Sequence, residues 1–155
     1  MAEKLQSEIK QSKPFPRASA EAFLSILRTA ALLEHQIGEV LRPHGITTTQ
    51  YNVLRILKGA GSQGLCGREI AERLVSRVPD VSRLLDRMEE LGLLTRKRDS
   101  EDRRHVTARI TNQGLKIIEK ATPDLEAVES SRFRNLPAES VQSLIETLDD
   151  VRAGG

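Results

Sequence analysis

The chemistry open to this sequence is concentrated in its arginines. Residues 68–109 hold eleven basic and nine acidic side chains, and ten of the eleven bases are arginine. The rigid guanidinium fork suits phosphates and guanine edges better than a lysine ammonium does. Arg83 and Arg87 belong to a stretch that opens with Pro79, Asp80 and Ser82. Arg96, Lys97, Arg98, Arg103 and Arg104 crowd a second stretch, where six basic residues meet three acidic ones between Thr95 and Arg109. Both clusters suit an anionic polymer, and by charge alone they also suit a solvated, salt-bridged surface. The net charge of +2, from 24 basic and 22 acidic residues, does not choose between these readings.

Other chemistries are poorly provided for. No glycine-rich phosphate loop occurs, and no Ser or Cys stands in a recognisable nucleophile setting, so an enzyme is not expected. The three histidines, at 35, 44 and 105, are dispersed and none is paired at helical spacing, so neither a metal nor another cofactor is expected. A single cysteine, Cys66, excludes an intramolecular disulfide and points to the cytoplasm. Aromatic residues make up 3% of the chain and there is no Trp, which removes the stacking platforms of single-strand nucleic-acid binders. The lysines near the N-terminus are not followed by an apolar signal-peptide core, and the longest uncharged stretch, Pro43 to Leu54, is too short and polar to span a membrane. With 155 residues, 38% hydrophobic and 30% charged, the expectation is one soluble globular domain.

The elements that would position the arginines follow from periodicity. Residues 1–17, broken by Pro14 and Pro16, read as a flexible arm, and residues 18–155 as a single domain. Phe23, Leu27, Ala30, Leu33, Ile37 and Val40 recur at spacings of three and four, giving a long first helix closed by Pro43 and Gly45. Thr47 and Gln50 make a capping-box pattern ahead of a second helix with a Tyr51, Leu54, Leu57 stripe. A short third helix carries Ile70, Ala71 and Leu74, with Cys66 at its N-cap and Glu69 three residues on. A fourth starts around Ser76 to Pro79 and runs to Gly92 with Val81, Leu84, Leu85, Met88 and Leu91 on one stripe. Only Val75 to Val78 join these two, the length of a helix-turn-helix connection. Alternation then replaces helical spacing: Leu94, Arg96 and Arg98, a polar tip from Asp99 to Arg104, then Val106, Ala108 and Ile110, a β-hairpin. Two further helices follow, the first expected to kink or break at Pro123.

The fold class is therefore mainly α with a small β-hairpin wing. A winged helix-turn-helix at about 47–111 is flanked by helices at about 18–42 and 112–151. A recognition helix puts its N-terminal half into the major groove. This selects Arg83 and Ser82 as base readers, with Pro79 and Asp80 at the leading edge and Arg87 on a shoulder. Arg96, Arg98 and Arg103 of the wing are the candidates for the minor groove or its phosphates, although the acidic residues of the tip must be neutralised locally or turned away.

Three stretches together resemble the multiple antibiotic resistance regulator (MarR) family of transcription factors. They are GITTTQYNVLRIL at 45–57, GREIAERL through VSRLLDRMEELGLLTRKRD at 67–99, and DRRHVTARITNQG at 102–114. The resemblance covers roughly residues 20–150. It implies a homodimer built on the flanking helices that reads a pseudo-palindromic DNA duplex. It also implies a salt bridge between Asp86 and Arg104 that orients the wing. Members are commonly repressors released by a small anionic or aromatic effector, for which Arg17, His35, His44 and Tyr51 are the candidate contacts. His44 also reads as a loop residue and Tyr51 as core. The peroxide-sensing branch carries its cysteine near the first helix, so that role does not transfer to Cys66. The competing reading is a winged helix used mainly for protein contacts, which would not need Arg83, Arg98 and Arg103 together.

Overall fold

The structure, a computed structural model, describes residues 4–102 and 104–154. The chain divides into two units, one ending at Thr48 and the other beginning at Thr49, inside the stretch expected as one domain. The first unit holds a helical turn, α1 (Leu5–Glu8), the long helix α2 (Ala18–Leu41) and a 3-10 turn over Arg42–His44. The arm is thus not wholly irregular, and Glu8 reaches Arg28 of α2 at 3.8 Å. The apolar stripe of α2 is present, yet only Leu41 is buried.

The second unit contains α3 from its second residue onward (Thr48–Ala60), β1 (Leu65–Cys66), α4 (Gly67–Arg73), α5 (Val81–Glu90), β2 (Leu94–Arg98), β3 (Val106–Ile110), α6 (Asn112–Phe133) and α7 (Ala138–Ala153). Helical spacing brings one face of each central helix inward. Val53, Leu54 and Leu57 of α3, Ile70 of α4, Leu85 and Met88 of α5, and Ile118 and Ala121 of α6 are buried with Leu94 and Ala108 of the sheet. Each fully buried large side chain contributes about 1.5–3 kcal/mol relative to exposure. The sheet order is β1-β3-β2, all antiparallel, with Leu94 opposite Ile110, Arg96 opposite Ala108 and Arg98 opposite Val106. The sequence pattern gave the hairpin but not β1, which pairs Leu65 with Ala108. Two residues are too few to show a period of two.

Two turns fix the wing to its neighbours. α5 ends in a Schellman arrangement: Gly92 N–H donates to Glu89 O at 2.9 Å and Leu93 N–H to Met88 O at 3.0 Å. Gly92 takes φ +77°, the left-handed conformation that a side chain disfavours. Thr111 then caps α6, accepting from Gly114 N–H at 3.1 Å and donating to Gly92 O at 2.6 Å. A Cβ on Gly114 would sit 2.4 Å from Leu93 O, so the Thr-x-x-Gly spacing allows α6 to start directly against the α5–β2 turn. α6 runs through Pro123 as one helix, so of the expected kink or break the break does not occur. Thr122 donates its hydroxyl to Ile118 O at 2.6 Å just before the proline, and the burial of Ile118 and Ala121 holds the turn that the proline weakens.

Candidate nucleic-acid interface

The recognition helix begins later than its sequence suggests. Proline disfavours helical geometry in the residue before it, here Val78, so the chain stays out of the helix until Val81. The connection from α4 therefore runs from Leu74 to Asp80 instead of the expected Val75 to Val78. Asp80 is the N-cap, its Oδ1 accepting from Arg83 N–H at 3.0 Å. Asp80 thus stands at the leading edge of the helix, with one carboxylate oxygen engaged in capping it. An Asp directly before the apolar Val81 was the available signal. Pro79, Ser82, Arg83 and Arg87 are exposed, and Arg87 makes only a surface pair with Glu90 at 3.4 Å.

The wing's orientation rests on Arg96. Leu94, Arg96 and Arg98 share one side of β2, and because Leu94 is buried, Arg96 lies over α5. There its guanidinium pairs with Asp86 and, at 3.1 Å, with Glu89, while Glu89 also accepts from Arg96 N–H at 2.8 Å. Asp86 and Glu89 stand three apart on α5 and so present one face. Partial desolvation works against the Arg96 charge, but the hydrogen bonds to Asp86 and Glu89 outweigh it and raise the guanidinium's pKa. Two expectations change. Arg96 is occupied by carboxylates and is not a free wing contact, and the partner of Asp86 is Arg96 where the resemblance implied Arg104. Arg104, exposed on the loop, has its N–H on Asp102 Oδ1 at 3.0 Å. Glu89 went unnoticed in the sequence; its three-residue spacing from Asp86 was the available signal.

The acidic residues of the tip are partly satisfied within the loop. Asp99 Oδ1 accepts from Glu101 N–H at 3.0 Å, as Asp102 Oδ1 does from Arg104 N–H. The hairpin closes through Asp99 N–H to His105 O at 2.8 Å and His105 N–H to Asp102 O at 3.0 Å. Arg98 and Lys97 are exposed at the end of β2. Arg103 lies outside the described residues.

The candidate effector contacts are divided between the units. Arg17 is the N-cap of α2, His35 is exposed on that helix and His44 sits in the 3-10 turn that follows. Tyr51 belongs to the second unit, half-buried, with its hydroxyl 2.8 Å from Thr122 Oγ1. Since Thr122 donates to Ile118 O, Tyr51 is the donor in that contact. Cys66 is half-buried and serves both β1 and the N-cap of α4. Its N–H donates to Glu69 Oε2 at 2.9 Å, and this bond, with help from the thiol and the charges of Arg73 and His105, holds the Glu69 carboxyl below the usual range against desolvation. Among the described residues no group of three or more His, Cys, Asp or Glu is placed to hold a metal, and no helix is long and apolar enough to cross a membrane.

Comparison with known proteins locates this geometry. The model of the MarR family matches residues 44–105. The regulator YkoM of Bacillus subtilis, described as an uncharacterised HTH-type transcriptional regulator, is 30% identical over 141 residues, 90% of this chain and 85% of YkoM. Among solved structures, Sco3205 of Streptomyces coelicolor, a MarR family regulator determined in complex with DNA, superposes with a TM-score of 0.80 at 24% identity, covering 93% of this chain and 92% of that one. NadR, determined with 4-hydroxyphenylacetate, has a TM-score of 0.70 at 23% identity over 90% of this chain and 97% of NadR. These two likenesses are likenesses of fold.

Proposed function

This chain belongs to the MarR family of DNA-binding transcriptional regulators, and we propose that it acts in the cytoplasm as a homodimeric repressor released from a pseudo-palindromic operator by a small anionic or aromatic effector. It is a regulator and not an enzyme. The observation that carries the DNA-reading assignment is the first turn of α5. Asp80 caps that turn from within, leaving Ser82 and Arg83 exposed beside a wing that Arg96 fastens to the same helix. Ser82 and Arg83 read base edges, with Pro79 leading and Arg87 on the shoulder. Arg98, Arg103 and Arg104 reach the phosphates or the minor groove, and Arg96 sets the wing's angle instead of touching DNA.

Self-association is supported by the apolar faces that α2 and α7 leave exposed, among them Phe23, Leu27, Ile145 and Val151. The DNA complex of Sco3205 supports a groove-reading pose, and the ligand in NadR supports an anionic phenol as the effector class. An effector releases DNA by preferring the dimer geometry in which the recognition helices are wrongly spaced.

The test is binding of the purified protein to the promoter DNA beside its own gene, at two salt concentrations, with excess competitor duplex and with or without 4-hydroxyphenylacetate. Specific, salt-sensitive binding that the phenol weakens is the expected result. Binding that the competitor abolishes at both salts would overturn specific recognition of that promoter, and specific binding indifferent to the phenol would remove that compound as effector.

A further inference from the structure

Beyond the recognition helix and wing, Arg17, Arg55, Arg73, Arg77 and Arg134 have no ion-paired carboxylate among the described residues, and two of them, Arg55 and Arg77, are related by a single tie between α3 and the α4–α5 connection. Arg55 of α3 and Arg77 of the α4–α5 connection are exposed, and among the described residues neither is paired with an acid. Three nearby arginines differ: Arg68 is paired with Glu72, Arg87 with Glu90 and Arg96 with two carboxylates, while Arg73 and Arg83 are, like Arg55 and Arg77, without an ion pair among the described residues. The sequence explains part of this contrast. No Asp or Glu occurs between Glu39 and Glu69, so α3 carries Arg55 and Lys58 with no acid of its own, and none occurs between Glu72 and Asp80. Asp80, the nearest acid in sequence to Arg77, has an oxygen engaged by Arg83 N–H.

A single hydrogen bond relates the two positions. Asn52 Oδ1 accepts from Val75 N–H at 2.9 Å, tying the connection to α3. Asn52 and Arg55 are three apart and share a helix face. Arg77 follows Val75 by two residues, at most about 7 Å of chain. The guanidiniums are therefore rooted on either side of one tie, in the segment that leads directly into the capped start of α5. We propose that Arg55 and Arg77 are a pair of phosphate contacts, gripping the DNA backbone beside the groove that α5 enters. The inference rests on the DNA-binding reading above. Binding there breaks no existing ion pair, and contacts of this kind fix register without reading sequence.

The experiment compares Arg55→Gln, Arg77→Gln and the double variant with the unaltered protein. The equilibrium dissociation constant is measured from 50 to 200 mM salt on a duplex selected by that protein from a random pool and on an unselected duplex. Each substitution is expected to flatten the log–log salt slope by about 0.9 per bound chain, the double variant by about twice that, with the preference for the selected duplex unchanged. Thermal melting checks that the variants are folded, and Arg134→Gln, an exposed arginine beyond α6, should keep the original slope. Unchanged slopes in both variants would overturn the phosphate assignment. A collapse of the preference in Arg77→Gln would also overturn it, by making Arg77 a base reader. An unaltered protein that selects no duplex would instead sink the DNA-binding reading itself.

Discussion

The winged helix-turn-helix and the long helix α2 are built from similar amphipathic stripes, but their stripes end differently. In the former, Leu54, Leu57, Ile70, Met88 and Leu94 are each at most 1% exposed. In α2, Phe23 is 65% and Leu27 53% exposed, and α7 repeats the pattern with Ile145 at 48% and Val151 at 58%. One region has finished its core within a single chain; the other two helices carry apolar faces that a single chain leaves uncovered. A soluble protein rarely leaves such faces in water. The difference separates two roles in the proposed reading: a winged helix-turn-helix whose core is closed within one chain, and helices α2 and α7 whose exposed apolar faces are the surfaces proposed to meet in a dimer.

The largest expected effect falls on the closed region. Met88→Ala should cost about 2–5 kcal/mol of unfolding free energy, read by urea denaturation, because a fully buried side chain leaves a cavity. A loss under 1 kcal/mol would mean that this core is not as closed as the burial indicates. Leu27→Arg tests the open region: self-association should weaken by about 2 kcal/mol or more in sedimentation equilibrium, while the circular dichroism spectrum stays helical. A variant as dimeric as the unaltered protein would break the division of labour.

Smaller effects test the clasp between α5 and the wing. Arg96→Ala should cost about 1 kcal/mol of stability, as an ion pair that is partly accessible on the carboxylate side, and should weaken operator binding. Arg104→Ala should leave the melting temperature unchanged. If Arg104→Ala lowered the melting temperature and Arg96→Ala did not, the pairing of Asp86 seen here would be wrong. The smallest effect is a pH dependence. The folded Glu69 carboxyl titrates below its unfolded value, so its contribution is present above the unfolded pKa and is lost as pH falls through the folded one. Between pH 6 and 3, Glu69→Gln should show a shallower fall in melting temperature than the unaltered protein; parallel curves would remove Glu69 from the acid limb.

Much of the architecture could be read from local pattern. The period of 3.6 placed Leu54, Leu57, Ile70, Leu85 and Met88 on inward faces, and alternation placed Leu94 and Ala108 together. Alternation also held the clue to Arg96, since it puts Arg96 on the side of the buried Leu94. Charge counting concealed it, because a basic residue in a basic hairpin reads as a ligand contact until its neighbour across space is known. β1 was hidden because a two-residue strand has no period. The start of α5 was misplaced because proline is compatible with a first turn, whereas here Pro79 and Asp80 precede it and Asp80 supplies the cap.

By itself the sequence determined what each segment is and which residue types it offers: helices with one apolar face, a hairpin, an arginine-rich middle and an acid-free α3. Those properties follow from repeats of two and 3.6 residues and from composition, all of which are local. Which arginines are occupied was decided only by the tertiary structure. Asp86 and Glu89 meet Arg96 because a glycine turn folds β2 back over α5, and Asn52 meets Val75 across 23 residues of chain. Ion pairs and hydrogen bonds act over a few ångströms of space, and separation along the chain does not say which side chains the fold will bring that close.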